Sequence, residues 1–246
     1  MSIQAGIRRF INQFGFELYR VSNFPSSNYE QVLPLASYAP WNKDKAFISL
    51  YKIISNYTLV DKYRCFELWS LIKQSQKLEK GSIIEIGVWR GGTGALIATH
   101  AKNCGIADPI YLCDTFTGVV KSSTEDSDYE NSQHNDTSLQ LVEDLLIKKL
   151  SLDNVKLLQG IFPEDTSHLI ESERFRFCHV DVDVYQSAKD IVTWIWDKMV
   201  PGGIIVYDDY GFASCDGITK YVEEQIDEKD RLIIHNLNGH AIIIKR

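Results

Sequence analysis

Residues 231–246 read RLIIHNLNGHAIIIKR. Two apolar runs, RLIIHN and HAIIIKR, flank a short Leu-Asn-Gly link, and Asn-Gly between apolar runs is a strong local signal for a tight β-hairpin. This antiparallel pair breaks the rhythm of everything before it. From residue 81 onward, short apolar runs alternate with helical stretches: SIIEIGV (82–88), IYLCD (110–114), VKLLQG (155–160), FRFCHVDVD (175–183) and GIIVYDD (203–209). Helices are expected between them near 92–103, 136–149, 185–199 and 216–228. Strands alternating with helices make βαβ units, whose crossovers build a parallel sheet covered on both faces. The expectation is therefore an α/β fold of five parallel strands closed by a C-terminal antiparallel hairpin.

Upstream of the sheet, residues 44–56 and 61–77 carry apolar residues three and four apart, the period of amphipathic helices. They form a helical lead-in over 44–78, ahead of an α/β core at 79–246. Residues 23–44, NFPSSNYEQVLPLASYAPWNKD, hold Pro, Ser and Asn without sustained periodicity and read as a linker or wrapped arm. Near the start, Ile3, Ile7, Phe10, Ile11 and Phe14 fall on one helical face with Arg8 and Arg9 beside it. Residues 1–43 are thus expected to be an N-terminal helix and arm. Its apolar stripe needs cover, from the protein's own body or a second subunit in preference to a membrane surface.

Composition narrows the function. Hydrophobic residues make up 44% and charged residues 24% of 246, ordinary globular proportions. The net charge is -7 and no basic cluster exceeds a pair, so a nucleic-acid backbone would be repelled. Five cysteines (Cys65, Cys104, Cys113, Cys178, Cys215), odd in number and without CxxC spacing, read as free thiols in a reducing cytoplasm. No run reaches membrane-span length, and the N-terminus has no signal-peptide pattern.

The first chemical motif is EIGVWRGGTG (85–94), at a strand-to-helix junction. Its glycines, Gly87 and Gly91 among them, let backbone approach a ligand, and the helix start beyond Thr93 offers unpaired N–H groups. It is not GxGxxG. Glu85 would disfavour a nucleotide phosphate and favour a cationic amino group. Asp114, twenty residues beyond Gly94, ends the second strand where a carboxylate can accept from ribose hydroxyls, though it could also cap the next turn. After the third strand, Gly160 and Phe162 offer a place for an adenine ring, and Phe162 could equally be core.

Four aspartates carry more information. Asp181 and Asp183 end the fourth strand, Asp208 and Asp209 the fifth, so all four reach the sheet's carboxyl edge, where open α/β sheets bind ligands. Carboxylates so crowded raise one another's pKa unless something compensates, and a hard divalent cation such as Mg²⁺ does so. Turn and helix-cap roles are the competing explanation. His179 reads as a hydrogen-bonded strand residue, whereas His134, in the polar loop DSDYENSQHND (126–136), could close over a substrate or simply be solvated.

Together and in this order, EIGVWRGGTG, CDTFTG, GIFPED, HVDVDVYQSAKD and VPGGIIVYDDYG resemble the macrocin O-methyltransferase family from about residue 45 onward. The resemblance implies a class I methyltransferase fold, with a Rossmann-like, mostly parallel seven-stranded sheet. It implies S-adenosyl-L-methionine as methyl donor, Mg²⁺, and a small-molecule hydroxyl acceptor, a sugar or glycoside. By position, Asp181, Asp208 and Asp209 match the family's metal ligands and Asp183 its general base. Glu85, Gly87, Gly91 and Asp114 match its cofactor motifs, and homo-oligomers built through the N-terminal region are common in it. Catechol-type enzymes resemble D-x-x-K after strand four, but Val184 stands third after Asp181, and the second pair is Asp-Asp rather than Asp-Asn. An NAD-dependent sugar-modifying enzyme would draw on Tyr185 and Lys189 as a Tyr-x-x-x-Lys pair, and a non-catalytic binding protein would keep only the fold.

Overall fold

A computed structural model describes residues 36–246 and, before them, Ile7, Phe10, Ile11, Gln13, Phe14 and residues 28–32. The chain divides into two units, residues 1–33 and 34–246. In the first, Ile7, Phe10 and Ile11 are helical, and the rings of Phe10 and Phe14 meet edge to face at 5.2 Å. Ile7, Phe10 and Phe14 of the expected stripe are exposed; Ile3, Arg8 and Arg9 lie outside the described residues.

The second unit is built on a seven-stranded sheet: β1 (Ser82–Ile86), β2 (Ile110–Asp114), β3 (Val155–Gln159), β4 (Phe175–Val180), β5 (Met199–Tyr207), β6 (Arg231–Asn236) and β7 (His240–Lys245). Its order is β3-β2-β1-β4-β5-β7-β6; the first five strands are parallel, and β7 runs antiparallel to β5 and β6. The class I methyltransferase layout expected from the closing hairpin is the one observed. Strand order reverses between β1 and β4, the switch point where such sheets open a crevice.

Alternation along the strands sorts two cores. Ile83, Leu112, Phe177 and Val206 face one side, covered by the lead-in helices α1 (Lys45–Ile54) and α2 (Lys62–Ser75) and by α3 (Gly92–Asn103). Ile84, Cys113, Cys178 and Ile205 face the other, under α5 (Tyr185–Ile195) and α6 (Asp216–Glu223). Asp44 and Asp61 cap α1 and α2, accepting from Phe47 N and from Tyr63 N and Arg64 N. All five cysteines are free, four of them buried. No helix among the described residues is long and apolar enough to cross a membrane.

Some boundaries differ from those read off the sequence. The helix expected over 136–149 is α4 (Leu139–Glu143) continued by a π-helical stretch to Lys149. The helix expected to reach residue 199 ends at Ile195, with a 3-10 turn to Lys198, and β5 starts at Met199, which pairs with Phe175 and is buried with Val200 before the Pro-Gly-Gly step. Most consequentially, β4 ends at Val180 and not at Asp183. Asp183 adopts a left-handed backbone, φ +64°, so the chain turns out of the sheet and the two aspartates are not successive same-face strand residues.

Candidate active site

The carboxyl ends of β1, β2, β4 and β5 open into one cavity, lined by Gly87 and Asp114 as well as by Asp181, Asp208 and Asp209. At one end is the glycine turn. A Cβ on Gly87, φ +88°, would stand 1.6 Å from the Asp181 carbonyl oxygen, so only glycine lets the end of β1 lie against the end of β4. Asp114 stitches two turns together: one oxygen accepts from Val88 N (2.6 Å) and Trp89 N (2.8 Å), the other from Phe116 N (2.6 Å). Its carboxylate also lines the cavity and keeps lone pairs for further donors. Thr93, Gly160 and Phe162 line the same end, with the Phe162 ring edge-on to Trp194 at 5.0 Å.

The structure does not bring Glu85 or Gly91 to the cavity wall. Strand alternation turns Glu85 toward the Ile83 face, where Oε1 meets His179 Nδ1 at 2.8 Å and Oε2 is buried without a partner beneath Gly94. Gly91, φ +86°, begins α3 and packs against Val142.

The opposite end is acidic. Asp181, Asp208 and Asp209 each present an oxygen within 4.8 Å of the others. Asp209 is buried, and its Oδ2 has no hydrogen-bond partner. Burial first, then the neighbouring Asp208 and Asp209, pushes the Asp181 carboxyl well above its ordinary range. Burial and then Asp183 and Asp208 do the same to Asp209. Burial also raises Asp183, opposed by a hydrogen bond from Tyr129 and by His134. An orphaned carboxylate oxygen among three converging acids, two of them reluctant to ionise together, fits a hard divalent cation held by oxygen ligands.

Asp208 is treated differently from its neighbours. Burial would raise its carboxyl too, but the Arg64 guanidinium, the nearby His179 ring and a hydrogen bond from His240 outweigh burial and hold it below the carboxylate range. Arg64 Nη1 donates to Oδ2, while His240 Nε2 lies 2.9 Å and His179 Nε2 3.5 Å from Oδ1. His179 pays a desolvation penalty, but its bonds to Asp208 and Glu85 push it up to about 9. The strand-residue reading of His179 thus matches its placement, fully buried between two carboxylates.

Several residues of the site carry no sequence signal. Arg64 reaches Asp208 across 144 positions from a helix outside the α/β repeat. Tyr57 to Val60 reach the cavity because Gly92 has no Cβ to strike Tyr57 O, to which its own N–H donates at 2.9 Å. Tyr129, which had no such signal, lines the cavity together with His134, the loop histidine singled out in the sequence. Backbone bonds Val119 N to Gln133 O and Ser132 N to Val119 O close the base of that loop. Asp126, buried, accepts from Tyr185 N at 2.8 Å and Ser123 N at 2.9 Å, pinning the loop to the start of α5. Tyr185 and Lys189 do bond each other, Nζ to OH at 3.1 Å, but beside Glu224 and away from the cavity-lining residues, which removes the one support for a Tyr-Lys dehydrogenase site.

The chain is similar to mycinamicin III 3''-O-methyltransferase of Micromonospora griseorubida, 29% identical over 61% of this chain and 66% of that protein. It is also similar to 8-demethyl-8-(2,3-dimethoxy-alpha-L-rhamnosyl)-tetracenomycin-C 4'-O-methyltransferase of Streptomyces olivaceus, 27% identical over 55% of each chain. The chain thus spans less than two thirds of the length of these curated relatives. Among solved structures, the O-methyltransferase NovP superposes with a TM-score of 0.64 at 22% identity, over 77% of this chain and 82% of that one, a likeness of fold. Residues 42–234, from the lead-in helices into β6, match the family description as a whole, and the chain belongs to the macrocin-O-methyltransferase (TylF) family.

Proposed function

We propose that this chain is an S-adenosylmethionine- and Mg²⁺-dependent O-methyltransferase acting on a hydroxyl of a sugar or glycosylated small molecule. The observation that carries this reading is the meeting, in one cavity, of the Asp181–Asp208–Asp209 cluster and the glycine turn with Asp114. The two relatives' names, one of them specifying a rhamnosyl unit, support the choice of acceptor. Asp181, Asp208 and Asp209 are the residues that would hold the cation. Asp114 would take the ribose hydroxyls, Thr93 and Gly160 would shape the cofactor end, and Phe162 would pack against the adenine. When bound, S-adenosylmethionine supplies an electrophilic methyl group and Mg²⁺ makes an aliphatic hydroxyl more acidic.

Asp183 would accept the hydroxyl proton on its carboxylate, with Tyr129 beside it at the cavity wall. The loop bearing Tyr129 and His134, both of which line the cavity, would shield the acidic end from bulk water. Residues 44–246 are the catalytic domain in this reading and residues 1–43 an arm, with Phe10 and Phe14 part of a self-association surface; Phe10→Asp should then shift the mass seen by light scattering toward the monomer. The deciding experiment measures labelled methyl transfer to a panel of deoxysugar glycosides and catechol, with and without excess chelator. Mg²⁺-dependent labelling of glycosides is expected. Full activity in chelator overturns the metal role, and labelling of catechol alone overturns the sugar acceptor. Calorimetric binding of NAD without S-adenosylhomocysteine overturns the reading altogether.

A further inference from the structure

Helix α2 lies outside the α/β repeat, yet it grips one aspartate of the acidic cluster by both oxygens. Arg64 donates directly to Asp208 Oδ2. Glu67, three residues on and so on the same helical face, reaches the other oxygen indirectly: its Oε2 lies 2.6 Å from His240 Nδ1, and His240 Nε2 lies 2.9 Å from Asp208 Oδ1. The His240 ring is fully buried between the two carboxylates. Carboxylates facing both ring nitrogens fix the plane of the imidazole, with an N–H directed at each of them. Glu67 is itself held: Asn236 and Asn238, at the tip of the β6–β7 hairpin, both donate to it.

We propose that Glu67 and His240 form a positioning relay that aims Asp208 at the divalent cation, so that the affinity of the site for metal is set from helix α2. The proposal rests on the metal reading given above. With Arg64 on one oxygen, and His240 backed by His179 on the other, Asp208 is fixed at both ends while one of its oxygens stays within 4.8 Å of oxygens of Asp181 and Asp209. Without Glu67, the His240 ring loses the partner that fixes its plane and is free to turn away from Asp208, which loosens the hold on that carboxylate. Neither Glu67 nor His240 lines the cavity, so their effect on the cation can only pass through Asp208.

The test is Mn²⁺ affinity of the whole chain, read from the electron paramagnetic resonance of unbound Mn²⁺, without acceptor or turnover. Glu67→Ala should weaken Mn²⁺ binding by about 10- to 100-fold, the usual effect of losing an outer carboxylate partner. Glu67→Gln, which keeps an acceptor oxygen for His240, should recover part of that loss. Asn236→Ala separates positioning from simple stapling: it removes the hairpin tie but leaves His240 bonded, so it should lower the melting temperature and leave Mn²⁺ affinity intact. Unchanged Mn²⁺ affinity in folded Glu67→Ala, or a loss in Glu67→Gln and Asn236→Ala as large as that in Glu67→Ala, overturns the relay alone. Absence of Mn²⁺ binding by the unsubstituted protein overturns the metal reading and the relay with it.

Discussion

Asp183 combines an unusual backbone with an exposed function: it leaves the sheet at φ +64° and turns a carboxyl toward Tyr129 and the acidic cluster. Asn occupies the left-handed region about as readily as Asp, so Asp183→Asn should fold normally, bind S-adenosylhomocysteine by calorimetry, and lose about 10²- to 10⁴-fold in methyl-transfer rate. Gly87→Ala is the converse case, because its Cβ has no room against Asp181 O; loss of S-adenosylhomocysteine binding together with a lowered melting temperature is expected. The cluster also fixes a pH dependence. The folded pKa of His179, about 9, lies above the ordinary 6.5, so its contribution is complete below 6.5 and vanishes as pH rises through 9. Asp181 and Asp209, also raised, act in the same direction, since each becomes a buried charge once its own raised pKa is passed. Asp208, held low, loses its contribution only in acid. Metal-free protein should therefore show a melting temperature that falls between pH 6.5 and 9, and saturating Mg²⁺ should flatten that slope; a metal-free profile that rises over the same window would contradict these placements.

At the level of elements, the loop between β2 and α4 behaves as a folded cover because Asp126 serves as a remote cap for α5, whose own preceding residue, Val184, makes no side-chain cap. Asp126→Ala should cost about 1 kcal/mol in thermal or denaturant unfolding, as cap losses do, and should make the 118–136 segment exchange amide hydrogens and yield to protease first. Unchanged protection there would mean that Lys121, paired with Asp190 and Glu164, holds the loop unaided. The strands and the closing hairpin were legible because apolar period and Asn-Gly chemistry are local properties of the chain. Loop structure was not: Asp126 looks like any other acid in a polar run, and its burial depends on Gly217, where a Cβ would stand 2.0 Å from its Oδ1. The ends of β4 and β5 were likewise misjudged by residue pattern, since whether Asp181 or Met199 pairs depends on the neighbouring strand.

For the molecule as a whole, the second unit carries two apolar cores of its own, built from residues of the lead-in helices and the α/β repeat. Removal of residues 1–33 should therefore leave a chain that unfolds cooperatively and still binds S-adenosylhomocysteine; a broad, noncooperative transition would show that the arm completes the fold. The four aspartates and the glycine turn, which meet in one cavity, could be picked out from motif order, but the cations that tame the cluster could not. Arg64 and His240 stand far from the acids in sequence, and no spacing rule joins a lead-in helix to a terminal hairpin. The left-handed bend at Asp183 has a consequence for descent. A single base change converts an Asp codon to one for Asn, the replacement that backbone tolerates best, so a duplicated copy could shed its chemistry in one step and persist as an inert ligand-holding protein. Silent relatives of this kind would be recognised by one amide at that bend in an otherwise intact chain.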